Sequence, residues 1–254
     1  MRLALIGQGT MGQLVATRAK GEGHQIALAL SSRDAARGVE ELAEELRAAD
    51  VAIDFSVASA VLGHVEACAR AGVPLVEGTT GWGSDIERAR EIVLEHEGAL
   101  LYGANFSIGV NLFYRLAAYA AELFKAADGY APFIEEAHHA RKRDAPSGTA
   151  LRLKDLLAAR FGENIPVSST RAGQIPGTHR VGFDAAADQI TLTHTARSRE
   201  GFAAGALAAA RWIRGRRGVY EFSEAIDQIL EAVTGEGARD EGEGSRDERN
   251  ASIS

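Results

Sequence analysis

The chain opens with the short apolar run Leu3-Ala4-Leu5-Ile6, followed by Gly7-Gln8-Gly9-Thr10-Met11-Gly12 and then by an apolar stretch through Leu14, Val15 and Ala16. A continuous apolar run of this length describes a strand buried on both faces, and glycines spaced this way between strand and helix form the dinucleotide fingerprint in its required context. The first glycine turns the chain, the second admits a pyrophosphate to the backbone, and the third lets helix and strand pack closely. Gly7, Gln8, Gly9, Thr10, Met11 and Gly12 are therefore candidate cofactor contacts.

Apolar runs and helical patterns then alternate, predicting strands at 25–30, 51–55, 73–77 and 99–102 and helices at 35–48, 58–70 and 85–95. This alternation builds an α/β doubly wound parallel sheet of Rossmann type, which binds ligands at the carboxyl ends of its strands. Three polar loops fall there: Asp54-Phe55-Ser56, Gly78-Thr79-Thr80-Gly81 and Asn105-Phe106-Ser107. Glycine and threonine after a strand commonly just form turns; their shared edge makes these loops candidates for the nicotinamide and ribose. The second strand ends at Ser31-Ser32-Arg33, where an NAD-selective site places an acid for the ribose 2′-hydroxyl. Ser32 and Arg33 suit a 2′-phosphate instead, so NADPH is the expected cofactor with NADH possible. The plainer alternative is that Ser31 caps a helix starting near Asp34.

A second cluster lies at 136–150, which reads Glu-Ala-His-His-Ala-Arg-Lys-Arg-Asp-Ala-Pro-Ser-Gly-Thr-Ala. The apolar Phe133-Ile134 reads as a strand leading into His138 and His139, and Ser147 opens a helix after Pro146. N–H groups at a helix start lack intrahelical partners and carry partial positive charge, so Ser147, Gly148 and Thr149 are suited to a carboxylate or phosphate. Lys142 adds a point charge, and a histidine titrates near neutral pH, which suits proton donation. Taken singly, the paired histidines are more often structural, the run Arg141 to Arg143 a solvated face, and Ser147 an N-cap. Their conjunction suits an anionic substrate that must be protonated.

Together these residues resemble the 4-hydroxy-tetrahydrodipicolinate (dihydrodipicolinate) reductase family from Met1 to about Leu230. The resemblance rests on the glycine loop, Ile53-Asp54-Phe55, Gly78 to Gly81, Ala104-Asn105-Phe106-Ser107 and above all 136–150, with later agreement at 169–173, Gly177-Thr178-His179, Thr193-His194, Ser198-Arg199, 202–206 and Trp212. It implies His138 as proton donor or acceptor and Lys142 as proton donor. It implies His139, Gly148 and Thr149 as binders of substrate carboxylates, and Gly7 to Gly12, Gly78 to Thr80, and Gly103, Ala104, Asn105 and Phe106 as cofactor contacts. The implied reaction is NAD(P)H-dependent reduction of a cyclic dicarboxylate by a homotetramer in lysine and diaminopimelate synthesis; the cytoplasm is expected separately, from the lack of a long apolar run or leader. The chain departs from several relatives in its shorter glycine loop, its short segment between the second and third strands, and its missing ribose acid. Another NADPH-dependent reductase or dehydrogenase of an anionic amino acid or imine, or a nucleotide-binding sensor, shares the glycine loop but gives no reason for the 138–149 constellation.

Composition sets limits. A net charge of −7 without a basic domain argues against a nucleic-acid partner. Cys68 is the lone cysteine, so no internal disulfide forms, a reducing compartment is expected, and no cysteine–histidine set predicts a metal. No long apolar run or leader points to a membrane. The expected organisation is a dinucleotide-binding domain of 1–107 and 214–233, an α+β substrate and oligomerisation domain at 108–213, and a disordered acidic tail at 234–254. Crossings at Ser107 and Arg214 form a hinge pair in this scheme. Within the second domain a helix is expected from Ile108 to Leu123, another over 150–161, and strands near Val167, Val181 and 190–195, that from Gln189 half-buried.

Overall fold

The computed structural model describes residues 1–31 and 37–234. Ser32, Arg33 and the acidic tail lie outside the described residues.

The first layer is a parallel six-stranded sheet. Its strands are β1 (Arg2–Ile6), β2 (Gln25–Leu30), β3 (Val51–Asp54), β4 (Leu75–Glu77), β5 (Ala99–Tyr102) and, late in the chain, β10 (Gly218–Glu221), in the order β10-β5-β4-β3-β1-β2. The connecting helices are α1 (Thr10–Gly21), α2 (Val39–Leu46), α3 (Val61–Ala71) and α4 (Ile86–Glu95). β1, β3, β4 and β5 are almost wholly buried, as their unbroken apolar runs require. The order reverses between β1 and β3, which makes their carboxyl ends the topological switch point where doubly wound sheets bind ligands.

The second unit begins with α5 (Ile108–Ala126), capped by Ser107, whose Oγ accepts the Val110 N–H. β6 (Ala131–His138), β7 (Val167–Arg171), β8 (Thr178–Asp184) and β9 (Gln189–Thr195) make a mixed sheet ordered β7-β6-β8-β9. α5 and α6 (Gly148–Phe161) cover one of its faces through Phe113, Leu153 and Leu157 against Ile134, Val181 and Phe183. β9 alternates as expected, but as an edge strand it stays largely exposed.

Two differences from the sequence reading concern the end of the chain. α7 (Glu200–Ile213) was expected in the second unit, yet Ala203, Ala206, Leu207, Ala210, Trp212 and Ile213 join the core of the first sheet with α1 and α8 (Phe222–Thr234). Small residues explain the fit, since a Cβ on Gly205 would lie 1.7 Å from the Phe106 carbonyl oxygen. The return crossing therefore falls between Thr195 and Glu200, not at Arg214, and a Cβ on Gly201 there would lie 3.6 Å from Ser107 Oγ, at the outward crossing. β10, the sixth strand, carried no signal: only four residues long, it is defined by pairing with β5. Smaller shifts are at element ends. The helix expected over 35–48 is α2 within its described part, and those expected from 58 and 85 open with 3₁₀ turns.

Candidate functional site

Two adjoining cavities lie where the carboxyl edge of the first sheet meets the second unit. The smaller, about 480 Å³, is lined by Gly9, Thr10 and Met11, by Phe55 to Ala58 and by Gly78 to Thr80. Gly7 takes φ +96° at the turn, and a Cβ on it would strike the Phe55 carbonyl oxygen at 2.3 Å. A Cβ on Gly12 would fall 1.9 Å from the Gly7 oxygen, so this glycine serves helix packing. Nothing lies within 4 Å of a Cβ on Gly9. Gly9, Thr10 and Met11, at the first turn of the twelve-residue α1, line this cavity, which suits the pyrophosphate of a dinucleotide. Gln8 is turned the other way, its amide donating to the Ala29 carbonyl.

The larger cavity, about 1030 Å³, is lined by His138, His139, Lys142, Ser147, Gly148 and Thr149, facing Gly103, Ala104 and Asn105. Thr80 and Arg199 line both spaces. Phe106 does not reach either cavity; it is buried, with its ring 4.6 Å from that of Phe222. Asn105 is held in place, since its Oδ1 accepts the Ser107 N–H and its carbonyl accepts from Asn111.

His138 ends β6, and the strand's period of two puts Glu136 on the same face. Glu136 is fully buried at its side chain and accepts from His138 Nδ1 at 2.5 Å, from both terminal nitrogens of Arg171 at 2.6 and 2.9 Å, and from the Ser147 N–H at 3.2 Å. Burial pushes its carboxyl up, but the hydrogen bonds from Arg171, Ser169 and His138 outweigh burial and hold it at about 2. With Nδ1 engaged, Nε2 is the imidazole atom left for the cavity, and a Cβ on Gly177 would crowd it at 3.2 Å. Burial lowers the pKa of His138, Glu136 pulls it back up, and Lys142 and Arg171 lower it further. The net effect is a lowering, so without a bound anion the neutral imidazole is favoured near pH 7.

Ser147 is occupied by structure. Its Oγ accepts the Ala150 N–H and lies 3.0 Å from Nε2 of the buried His179, while its own N–H serves Glu136. That leaves Gly148 and Thr149, both on the wall of the larger cavity, as first-turn residues of α6 whose N–H groups neither Glu136 nor Ser147 Oγ engages. Burial, reinforced by the repulsion that a protonated His138 would exert, pulls His179 down to about 4, so it is neutral near pH 7. Lys142 Nζ sits 2.8 Å from Asp144, so an incoming anion shares it with that carboxylate. Among the described residues, buried Nδ1 atoms of His139, His179 and His194 have no partner, which suits a polar ligand.

Glu136, His138 and His179 bring ligand atoms within 4.8 Å of one another. A cation there must displace the Arg171 guanidinium, which already holds both Glu136 oxygens. Sequence reasoning missed Glu136 and Arg171 as parts of the site and gave His179, His194 and Arg199 no role. For Glu136 a signal existed, since alternation along a strand couples 136 to 138. No helix among the described residues is long and apolar enough to cross a membrane.

The family description "Dihydrodipicolinate reductase, N-terminus" matches residues 1–106, and "Dihydrodipicolinate reductase, C-terminus" matches 109–226. The 4-hydroxy-tetrahydrodipicolinate reductase of Christiangramia forsetii is 35% identical over 242 residues, covering 91% of this chain and 99% of that protein. The enzyme of the same name from Archaeoglobus fulgidus is 37% identical over 245 residues, covering 84% and 94%. The solved dipicolinate-bound dihydrodipicolinate reductase from Paenisporosarcina sp. TG-14 shares the fold at a TM-score of 0.74 and 20% identity, over 87% of this chain and 97% of that one. With both halves matched and relatives above 30% identity along nearly their whole length, the chain belongs to the dihydrodipicolinate reductase family.

Proposed function

We propose that the chain is an oxidoreductase that reduces 4-hydroxy-tetrahydrodipicolinate to tetrahydrodipicolinate, a step of lysine and diaminopimelate biosynthesis. The observation that carries this reading is the adjacency of the two cavities, with Thr80 and Arg199 common to both and His138 on the wall of the larger. A reduced nicotinamide nucleotide bound across Gly9 to Met11 supplies hydride to the neighbouring space.

The residues of the chain do the rest. Gly148 and Thr149 N–H groups and His139 hold the carboxylates of the substrate, with Lys142 as the nearby point charge. The arriving dianion favours the charged form of His138, offsetting the burial that keeps it neutral at rest. Glu136 fixes the ring through Nδ1, so Nε2 delivers the proton as negative charge develops on the reduced ring. Loss of the 4-hydroxyl as water precedes reduction and leaves the conjugated imine that accepts the hydride.

NADPH is the preferred cofactor in this reading. Its support is the sequence Ser31-Ser32-Arg33, which puts hydroxyls and a cation where an NAD-selective site has an acid. The exposed outer face of the second sheet, with Ser168, Thr170, Thr191 and Thr193, supports association of copies into a homotetramer. The packing of α7 supports a nucleotide unit of 1–107 and 200–234 around a substrate unit of 108–199.

The test generates the unstable substrate in place with an upstream synthase and follows NADPH absorbance. Consumption is expected, with a lower KM for NADPH than for NADH. His138→Gln should lower kcat by roughly tenfold or more, the share of a general acid, with cofactor affinity retained. Normal turnover by that variant rules out His138 as the acid, and no consumption by the unaltered protein rules out the reaction.

A further inference from the structure

Behind the nucleotide-side loops lies a set of buried ionisable groups that the reaction does not touch. β3 ends at Asp54 and β4 at Glu77, and these residues are direct partners across the parallel pair. Both are 0% exposed, so the parallel register sets two buried acids side by side on one face of the sheet. Glu77 Oε1 accepts the Thr79 N–H at 2.6 Å. Asp54 Oδ2 lies 2.6 Å from Nδ1 of the buried His64 on α3, which in turn is 3.5 Å from Ser56 Oγ. Ser56 donates its N–H to Thr79 Oγ1 at 3.1 Å, tying together the two loops that line the smaller cavity. Cys68, also on α3, is buried next to the pair, where burial and both acids push its thiol up. Asp54 Oδ1 and Glu77 Oε2 have no other partner among the described residues.

Two carboxylates on directly paired residues in a dry interior repel strongly, and a single proton held between them removes both the repulsion and the orphaned oxygens. Burial and the charge of Asp54 both push the Glu77 carboxyl well above its ordinary range, in agreement with that geometry.

We propose that Glu77 is a positioning residue for the nucleotide edge, an un-ionised acid that donates its O–H to Asp54 while accepting the Thr79 N–H, and so sets the Gly78 to Thr80 loop and, through Thr79 Oγ1, the Ser56 loop. The inference rests on the reading that the smaller cavity takes a nicotinamide nucleotide. Nothing in hydride or proton transfer requires an acid here, so its effect is on how the loops meet the cofactor.

Glutamine reproduces the neutral acid, offering one acceptor and one donor in the same places, whereas leucine offers neither. Glu77→Leu should weaken NADPH binding and raise its KM roughly fivefold, the loss of about one hydrogen bond's worth of loop order, with kcat little changed. Glu77→Gln should restore most of that affinity. Difference infrared spectroscopy of the unaltered protein at neutral pH should show the carbonyl stretch of an un-ionised buried carboxylic acid that Glu77→Gln lacks. The proposal is overturned if that band is absent, if Glu77→Gln binds NADPH as weakly as Glu77→Leu, or if the leucine variant lowers kcat alone. If the leucine variant does not fold, the glutamine titration and the band still decide. Failure of the unaltered protein to bind NADPH overturns the nucleotide reading instead, and the infrared band then reports on the carboxyl pair by itself.

Discussion

Acidification from pH 6.5 to 4 should cost the fold about 3 kcal/mol through His179 alone. The ring is 5% exposed, and burial, aided by the neighbouring His138, lowers its pKa from 6.5 to about 4. Unfolding returns the imidazole to its ordinary value. Between the two pKa values the unfolded chain therefore binds more protons than the folded one, so stability falls as pH falls. At about 1.36 kcal/mol for each pH unit of separation, the interval from 6.5 to 4 yields the figure above. His138 and His194, lowered chiefly by burial, add in the same direction. Glu136 acts below this window: held at about 2 against an ordinary 4.5, it loses its contribution only as pH falls from 4.5 toward 2. The assay is urea unfolding followed by far-ultraviolet circular dichroism across the window, on the unaltered protein and on His179→Gln. Glutamine can still bond Ser147 Oγ, now 3.0 Å from the ring nitrogen, but does not titrate. The variant should lose less stability than the parent on acidification, by about 2–3 kcal/mol. A flat parent profile, or equal slopes in both proteins, refutes the buried-neutral assignment and with it the picture of His179 as a fixed support for the start of α6.

Three further outcomes follow from the site. Gly12→Ala places a methyl 1.9 Å from the Gly7 oxygen and should destabilise by about 1–3 kcal/mol or more, whereas Gly9→Ala meets no atom within 4 Å and should leave the melting temperature unchanged while weakening NADPH binding in a fluorescence titration. Glu136→Gln leaves Arg171 facing a neutral partner in the interior and should cost about 3–5 kcal/mol in urea unfolding; kcat should fall as well, because His138 loses its anionic acceptor. Lys142→Met removes the cation proposed to face the substrate and should raise KM while lowering kcat in the coupled assay, together about 1.5–3 kcal/mol in kcat/KM.

Most of the first sheet was readable because its strands are buried on both faces, so each appears as an apolar run such as Val51 to Ile53 between helical patterns. β10 was not, because Gly218 to Glu221 is half-buried, and only its neighbour β5 defines it. α7 was not among the elements expected, and its residues were grouped with the second unit, because nothing local in 200–213 says which sheet receives its apolar face. The histidine and helix-start cluster of 136–150 was legible since its residues are close in sequence. Arg171, His179 and Arg199 join that cluster only through β7, β8 and the connection into α7. Ser147 lines the larger cavity as its sequence position suggested, but its bond with His179 comes from β8 and is not visible locally.

The outward crossing at Ser107 lies beside Gly201, just past the return crossing between Thr195 and Glu200, so residues 108–199 leave and rejoin the first unit at neighbouring points. An excursion whose ends already meet adds little closure entropy to its host, and that cost grows only slowly with the length inserted. The inserted segment therefore bears on the six-stranded sheet chiefly through α5, which packs on α7 and α8 and pairs Arg115 with Asp227. A graft that keeps the Ser107 cap and the Arg199 turn has the means to carry a different binding chamber to the same nucleotide.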